Sequence, residues 1–462
     1  MTALLDRACS VCGSPHLEPF FTMSDVPIFC NVLHSEQQEA RDCPKGDIKL
    51  AFCPSCGFIT NVAFDPDKLH YSQDYENSLH YSPRFREYID ALARQLIERY
   101  DLYGKNIIEI GCGKGDFLVS LCELGNNKGV GFDPSYIPRA EHRHLGERVK
   151  FIQDFYSEDY RDDQADLICC RHTLEHVANP ADLLIPLRKA IGDRLNTVVF
   201  FEVPNAIDTF QREAVWDILY EHCTYFVPSS LKQVFSDCGF KITNLSEAFA
   251  GQFLCLEAIP VREEVVLADC PEGSGRADRN FLLEESLLSS TKERQLLPVG
   301  VTTQTTVLET STLVTSTRNR QDWTDSVTYV LPETKLNNVE EVASLQRDIQ
   351  DFTNKFQFKI ALWERKLIQI AQNKQRAIVW GAGAKGVTFL NLLKVRGAIE
   401  YIVDMNYRKH WKYVAGTGQQ IVPPEFLQAY RPDVVIVMNP IYEEEIRQLV
   451  ADLGLTCEIF SV

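Results

Sequence analysis

Residues Ile107–Phe117 read Ile-Ile-Glu-Ile-Gly-Cys-Gly-Lys-Gly-Asp-Phe. An apolar strand runs into a glycine turn, and the turn runs into a helix start. About twenty residues later, Gly-Val-Gly-Phe-Asp133 adds an acidic strand end. This order belongs to an α/β sheet, where ligands collect in the crevice beyond the strand ends. Gly111, Gly113 and Gly115 have no Cβ, so a ligand can lie close to the backbone there. Glu109 precedes the turn, and the N–H groups of the following helix point into the same crevice. The spacing is Gly-x-Gly-x-Gly, which differs from the dinucleotide fingerprint Gly-x-Gly-x-x-Gly.

With 462 residues the chain exceeds one ordinary core, and length alone suggests about three domains. A hydrophobic content of 45% and a charged content of 24% suit a globular protein. The net charge of −17 argues against a general binder of nucleic acid or membrane surfaces, although a local basic site for a phosphorylated ligand stays open. No apolar run approaches the roughly 20 residues that span a bilayer. The first residues lack the apolar core of a signal peptide, so a cytoplasmic location is expected.

Most of the 15 cysteines stand singly in apolar segments and read as small core residues. Cys9-x-x-Cys12-Gly13 and Cys53-x-x-Cys56-Gly57 are different. Each is a two-thiol knuckle followed by a glycine that permits a tight turn. Four thiolates in tetrahedral array suit Zn²⁺ and leave no open position, so a structural zinc is expected in residues 1–70. Cys30, Cys43, His16 and His34 stand near enough in sequence to be substitute ligands.

Residues 71–260 carry the first glycine motif. Apolar positions from Pro83 to Tyr100 recur at helical spacing and predict an amphipathic helix. Upstream, Tyr71 to Tyr81 is too polar for core and too aromatic for a plain linker. It reads either as a lid over a ligand or as an interdomain packing segment. After the buried strand Ala165–Cys170 comes Arg171-His172-Thr-Leu-Glu175-His176, at the carboxyl end where ligands collect. A further strand, Val198–Val203, runs into Pro204-Asn205, so Asn205 is expected to face the crevice. Tyr220-Glu221-His222 and Tyr225 then cluster between Pro204 and Pro228. An imidazole titrates near neutral pH, and an adjacent carboxylate can orient it as a base.

Residues 261–338 change character, becoming rich in threonine and valine, and read as a β-rich insertion or a mobile loop. A long helix is predicted from Val339 to about Gln375. Arg376–Gly386 then gives a second strand, glycine turn and helix start, with a Gly-x-Gly-x-x-Gly match at Gly381, Gly383 and Gly386. Ile399–Asp404 supplies its acidic strand end. Residues 339–462 therefore read as a second, Rossmann-like α/β domain whose helix start, with Lys385, suits a diphosphate.

Glu109-x-Gly111-x-Gly113-x-Gly115 resembles motif I of the class I S-adenosylmethionine (SAM) methyltransferases. The resemblance implies that Asp133 holds the ribose hydroxyls, that Asp154 approaches the adenine, and that Tyr81 covers the cofactor. The order of all these pieces resembles one family, the sugar C-methyltransferases that act on nucleotide-linked 4-keto deoxysugars. That family implies a structural zinc, SAM in the middle domain, and a sugar nucleotide between the middle and C-terminal domains. His222, oriented by Glu221, would remove the proton next to the ketone. Tyr220 or Tyr225 would steady the enolate oxygen, while His176 and Asn205 shape the substrate side. Two departures stand out. The family pattern is Tyr-x-Glu-His, yet Leu219 holds the tyrosine position and the tyrosine lies one residue later, at 220. The 261–335 stretch also looks longer than the family's usual connection. The rival readings are an O- or N-methyltransferase of another small molecule and a non-catalytic nucleotide-binding protein.

Overall fold

The computed structural model describes residues 7–69, 71, 73–160, 164–262, 328–330 and 338–462. Most of the 261–338 segment, read above as insertion or loop, lies outside the described residues. The described residues belong to one compact unit, Met1–Asp269 with Val327–Val462.

Strands β1 (Glu18–Pro27), β2 (Lys45–Phe52) and β3 (Ile59–Asn61) form an antiparallel sheet. Its fourth strand comes from far along the chain: β9 (Thr224–Tyr225) pairs with β3, Ile59 opposite Tyr225. This pairing fixes the segment just after Glu221 and His222 against the N-terminal region.

The central sheet begins with β4 (Asn106–Ile110), β5 (Lys128–Phe132), β6 (Val149–Ile152), β7 (Leu167–Arg171) and β8 (Val198–Pro204), all parallel. Beyond β8 the pairing turns antiparallel through β11 (Phe253–Pro260), β10 (Phe240–Ala248) and β12 (Thr328–Val330). The order β12-β10-β11-β8-β7-β4-β5-β6 reverses at β4, which opens the crevice beside the first glycine turn. Strands buried on both faces read as nearly continuous apolar runs, as Leu-Ile-Cys-Cys does in β7. The predicted helix runs over Pro83–Tyr100. Ser82 Oγ accepts from the Phe85 N–H at 3.2 Å at its start, and Asp101 is left-handed at its end.

The C-terminal sheet is parallel throughout, in the order β15-β14-β13-β16-β17: β13 (Ala377–Trp380), β14 (Ile399–Val403), β15 (Gln420–Val422), β16 (Val434–Val437) and β17 (Glu458–Ser461). A helix over Asn338–Gln372 leads into it, ending a little before the predicted Gln375 as the chain turns through left-handed Lys374. Its apolar stripe is core. Phe352 lies 5.5 Å, ring centre to centre, from Phe21 of β1, and Trp363 lies 5.4 Å from Phe389. One hydrophobic cluster thus draws residues from all three regions, including Phe21, Trp216, Phe352 and Phe389. Among the described residues no helix is long and apolar enough to cross a membrane.

Candidate active site

The two cysteine knuckles meet. Cys9 and Cys12 precede β1, while Cys53 and Cys56 form the turn between β2 and β3. The four sulfurs lie within 4.8 Å of one another, with Cys9 to Cys56 at 3.7 Å and Cys12 to Cys53 at 3.6 Å. None is in a disulfide. The set fits a tetrahedral ion. Cys30, Cys43, His16 and His34 stand outside it: Cys30 lies 4.0 Å from Thr388 Oγ1, and the His34 ring lies 3.7 Å from Glu39.

A cavity of about 380 Å³ opens beyond β4. Gly111 and Gly113 line it, with φ of +68° and +53°. A Cβ on Gly111 would fall 1.9 Å from Thr173 Oγ1, so close packing demands glycine there, whereas a Cβ on Gly113 would meet only Asn77 Oδ1, at 3.7 Å. Gly113 is therefore the bare stretch of backbone that a ligand can approach. Gly115 does not line the cavity; a Cβ there would enter the Phe151 ring at 2.4 Å. Glu109 does line it, and its Oε2 accepts from the Leu118 N–H at 3.1 Å. Burial pushes its carboxyl up to about 8, against the pull of Arg171.

Two expected cofactor residues stand elsewhere. Asp133 does not line the cavity. Its Oδ2 accepts from the Gly113 N–H at 2.8 Å and its Oδ1 from the Ser135 N–H at 2.7 Å, so it ties down the glycine loop. A carboxylate has lone pairs beyond these two bonds. Asp154 is exposed past the end of β6 and accepts from the Tyr160 hydroxyl at 3.0 Å, away from the cavity wall. Tyr81 does line the cavity, edge-on to Tyr407 at 5.4 Å, and burial pushes its phenol up to about 12.

His176 and His222 both line the cavity, their rings perpendicular and 4.9 Å apart. Two bonds hold them together. The Cys223 thiol reaches the Glu175 carbonyl at 3.5 Å, and the Thr224 hydroxyl donates to the Leu174 carbonyl at 3.2 Å. The Tyr71 hydroxyl hydrogen-bonds His176 Nδ1 at 2.9 Å. Burial first, then His176, brings His222 down to about 3, so its imidazole is neutral at neutral pH.

Glu221 does not orient His222 as the sequence suggested. It is fully buried, with Oε1 accepting from the Cys30 N–H at 3.0 Å and Oε2 from the Tyr75 hydroxyl at 2.7 Å. Tyr220 is 1% exposed, packs over Gly46 and accepts from the Asp65 N–H at 3.1 Å; it is a core residue and does not reach the cavity. The Tyr225 hydroxyl bonds the Leu219 backbone at 3.2 and 3.3 Å, so it too is structural. Asn205 turns away from the cavity: its side chain caps the helix Ala206–Gln211 through the Ile207 N–H at 3.1 Å and donates to the Gly251 carbonyl at 2.9 Å.

The second glycine loop faces the same cavity through Gly381, Gly383 and Lys385. Lys385 forms an ion pair with Asp217. Asp404 Oδ2 accepts from the Ala382 N–H at 2.8 Å, just as Asp133 ties the first loop. Lys409, 3% exposed, donates to the Ala382 carbonyl at 3.0 Å and adds a second cationic head to this wall.

Comparison with known proteins agrees with this layout. A methyltransferase domain model matches residues 81–245, and a C-methyltransferase C-terminal domain model matches residues 311–454. Residues 81–245 have the α/β fold of a class I SAM methyltransferase. The ubiquinone biosynthesis O-methyltransferase of Shewanella pealeana is 29% identical to this chain over 89 residues, 18% of this chain and 37% of the relative. The mitochondrial protein of the same name from Dictyostelium discoideum is 30% identical over 106 residues, 20% of this chain and 33% of the relative. The chain thus spans little more than a third of the curated relatives it matches. Among solved structures, the riboflavin-derivative dimethyltransferase RosA of Streptomyces davawensis aligns at 19% identity with a TM-score of 0.31, over 38% of this chain and 56% of that one.

Around the cavity, the lining residues Arg171, His172, Glu175, Asp217 and Lys409 were not singled out as site residues from the sequence. His172 sits at φ +49° between Glu202, 2.8 Å from Nε2, and Glu175, 3.6 Å from Nδ1. Burial pulls its imidazole down, but these two carboxylates outweigh it and push it up to about 9. Arg171 Nη2 also reaches Glu202, at 2.7 Å. A charged residue inside the apolar strand Val-Val-Phe-Phe-Glu202-Val was a sequence signal for this cluster. The His-x-x-Glu-His spacing was a signal for His172 and Glu175. Asp217 offered none, because only the fold brings it to Lys385. One oxygen of Glu175 and one ring nitrogen each of His176 and His222 form a second group, within 4.8 Å of one another, with metal-ligand donor types.

Proposed function

We propose that the protein is a SAM-dependent C-methyltransferase that methylates the carbon next to a ketone in a nucleotide-linked keto sugar. One observation carries this reading: the glycine loop of the methyltransferase domain, the second glycine loop and the His176/His222 pair all line one cavity. The match of residues 311–454 to a C-methyltransferase C-terminal domain supports carbon as the acceptor. Zinc at Cys9, Cys12, Cys53 and Cys56 would be structural, since four thiolates close its coordination.

SAM, when bound, supplies an electrophilic methyl group. Gly113 leaves room for it at the backbone, and Asp133 steadies that loop. The chain's part in the chemistry is proton removal and alignment. A neutral His222 ring takes the proton next to the ketone, and the carbon so activated faces the methyl donor. Positioning contributes much of the rate, and a placed base adds roughly 10²–10⁴-fold. Lys385, Lys409 and the N–H groups after Gly383 offer a diphosphate its counter-charge.

The test is solvent deuterium exchange into nucleotide-linked 4-keto deoxysugars without SAM, followed by methyl transfer with it. His222→Ala should bind SAM normally and lose both reactions. Near-wild-type transfer by that variant would remove His222 from the mechanism. The O-methyltransferase relatives favour a second reading, transfer to a hydroxyl oxygen. That reading gives no exchange at carbon.

A further inference from the structure

Resting on the C-methyltransferase reading, we infer that Glu175 is the positioning residue that holds the His176/His222 pair for proton removal. Glu175 sits in the single turn Leu174–His176 and is 1% exposed. Both carboxylate oxygens are buried without a hydrogen-bond partner. The nearest cation, His172 Nδ1, is 3.6 Å away, beyond hydrogen-bond reach. A buried carboxylate in that state is costly to the fold, so it implies a role that only a working site would satisfy. One of its oxygens and one ring nitrogen each of His176 and His222 lie within 4.8 Å of one another.

The backbone keeps this arrangement from drifting apart. The carbonyls of Leu174 and Glu175 are held by Thr224 and Cys223, the two residues just after His222. The carboxylate turn and the segment that carries the imidazole are therefore tied directly together. Glu221, the neighbour in sequence, is engaged elsewhere. Both its oxygens already accept hydrogen bonds, and burial raises its affinity for a proton. Glu175 is the opposite case. Burial opposes its ionisation, but the nearby ring of His172, with His176 beside it, outweighs it and holds the carboxyl below its ordinary range.

In the proton transfer, the C–H proton moves to a ring nitrogen of His222. The bonding electron pair stays on the substrate as the enolate. The imidazolium so formed faces the Glu175 carboxylate, which remains unprotonated throughout. Other ionisable groups also face this pair. Tyr71 bonds His176, Cys170 and Cys223 flank Glu175, Glu221 lies behind, and Lys385 acts on His222 from the C-terminal loop.

The test uses the full-length protein with ¹⁵N-labelled histidine, comparing wild type, Glu175→Gln, Glu175→Asp and Glu221→Gln. In Glu175→Gln the His172 titration should fall from about 9, and the His176 and His222 ring signals should shift. In Glu221→Gln the His172 and His222 rings should titrate as in wild type. In deuterium exchange with thymidine-diphosphate-linked 4-keto-6-deoxyglucose, Glu175→Gln should lose kcat by about 10²-fold with KM nearly unchanged, and Glu175→Asp should recover part of it. Ring signals unmoved by Glu175→Gln would overturn the inference whatever the substrate proves to be. No exchange by the wild type, with the rings responding as expected, would instead count against the keto-sugar reading and leave Glu175 as the partner of the pair. Stoichiometric Mn²⁺ that broadens all three ring signals, with activity lost to a chelator and restored by the metal, would overturn it in favour of Glu175 as a metal ligand.

Discussion

Tyr75 donates its hydroxyl proton to Glu221 Oε2 at 2.7 Å, and Glu221 is wholly buried. The bond ties Tyr75, which lines the cavity, to the residue just before His222, so this wall and the imidazole share one anchor. Tyr75→Phe leaves that carboxylate oxygen without its donor. We expect a loss of about 1–3 kcal/mol in unfolding free energy, read from denaturant melts. Glu221→Gln should give a smaller loss, and the double variant should be far from additive. Additive losses would show that the two side chains do not share this bond.

The two glycine motifs were legible because local chemistry alone dictates them. Apolar strands buried on both faces, a turn without Cβ atoms and an acidic strand end have few other uses. The helix Pro83–Tyr100 was legible for the same reason, through its Pro start and its stripe of apolar residues. The roles of Glu221, Tyr220 and Tyr225 were not. Adjacency in sequence put Glu221 beside His222, but the chain bends at Glu221, and its carboxylate faces Cys30 and Tyr75. Asn205 was expected to face the crevice because a strand end precedes it. A helix begins there, and capping its N–H groups claims the side chain. The carboxylate nearest His222 comes from a turn about fifty residues earlier, and only the β7 and β9 connections bring it there.

Gly111 and Gly113 should fail differently. Gly111→Ala forces a Cβ to within 1.9 Å of Thr173 Oγ1 at a φ of +68°. Left-handed backbone alone costs an alanine about 1–2 kcal/mol, and the clash adds to it. The melting temperature should drop. Gly113→Ala carries the same backbone strain with no clash, so its fold should survive better while its methyl group enters the cavity. Calorimetry should then show SAM affinity lost more than stability. Unchanged SAM binding by Gly113→Ala would mean that the cofactor does not lie against this turn.

Glu109 makes stability depend on pH. Its carboxyl stands at about 8 in the folded chain against an ordinary 4.5, because burial outweighs the pull of Arg171 and the Leu118 N–H. The folded state keeps a proton that the unfolded chain releases between those values. Its contribution to stability is therefore present below about pH 4.5 and lost as pH rises towards 8. His172, raised from 6.5 to about 9, likewise adds stability at low pH that falls away as pH rises from about 6.5 towards 9. Glu109→Gln should flatten only the Glu109 share, most visibly from pH 5 to 7. Parallel stability curves for the two proteins across that window would show that Glu109 ionises normally.

The cysteine cluster offers the most direct measurement. Four sulfurs within 4.8 Å, none in a disulfide, have the donor set and spacing of one tetrahedral ion. Elemental analysis of the purified protein should give one zinc per chain. Cys53→Ser should lose it, because a hydroxyl does not replace a thiolate at such a site. The cost should reach beyond the knuckles. Cys53 and Cys56 turn the chain from β2 into β3, and β3 pairs with β9, next to His222. Removing the metal with a strong chelator should therefore lower the melting temperature and also loosen His222, seen as faster hydrogen exchange at Thr224 and Tyr225. A chelated protein that melts and exchanges like the untreated one would mean that the four thiols hold the sheet without an ion.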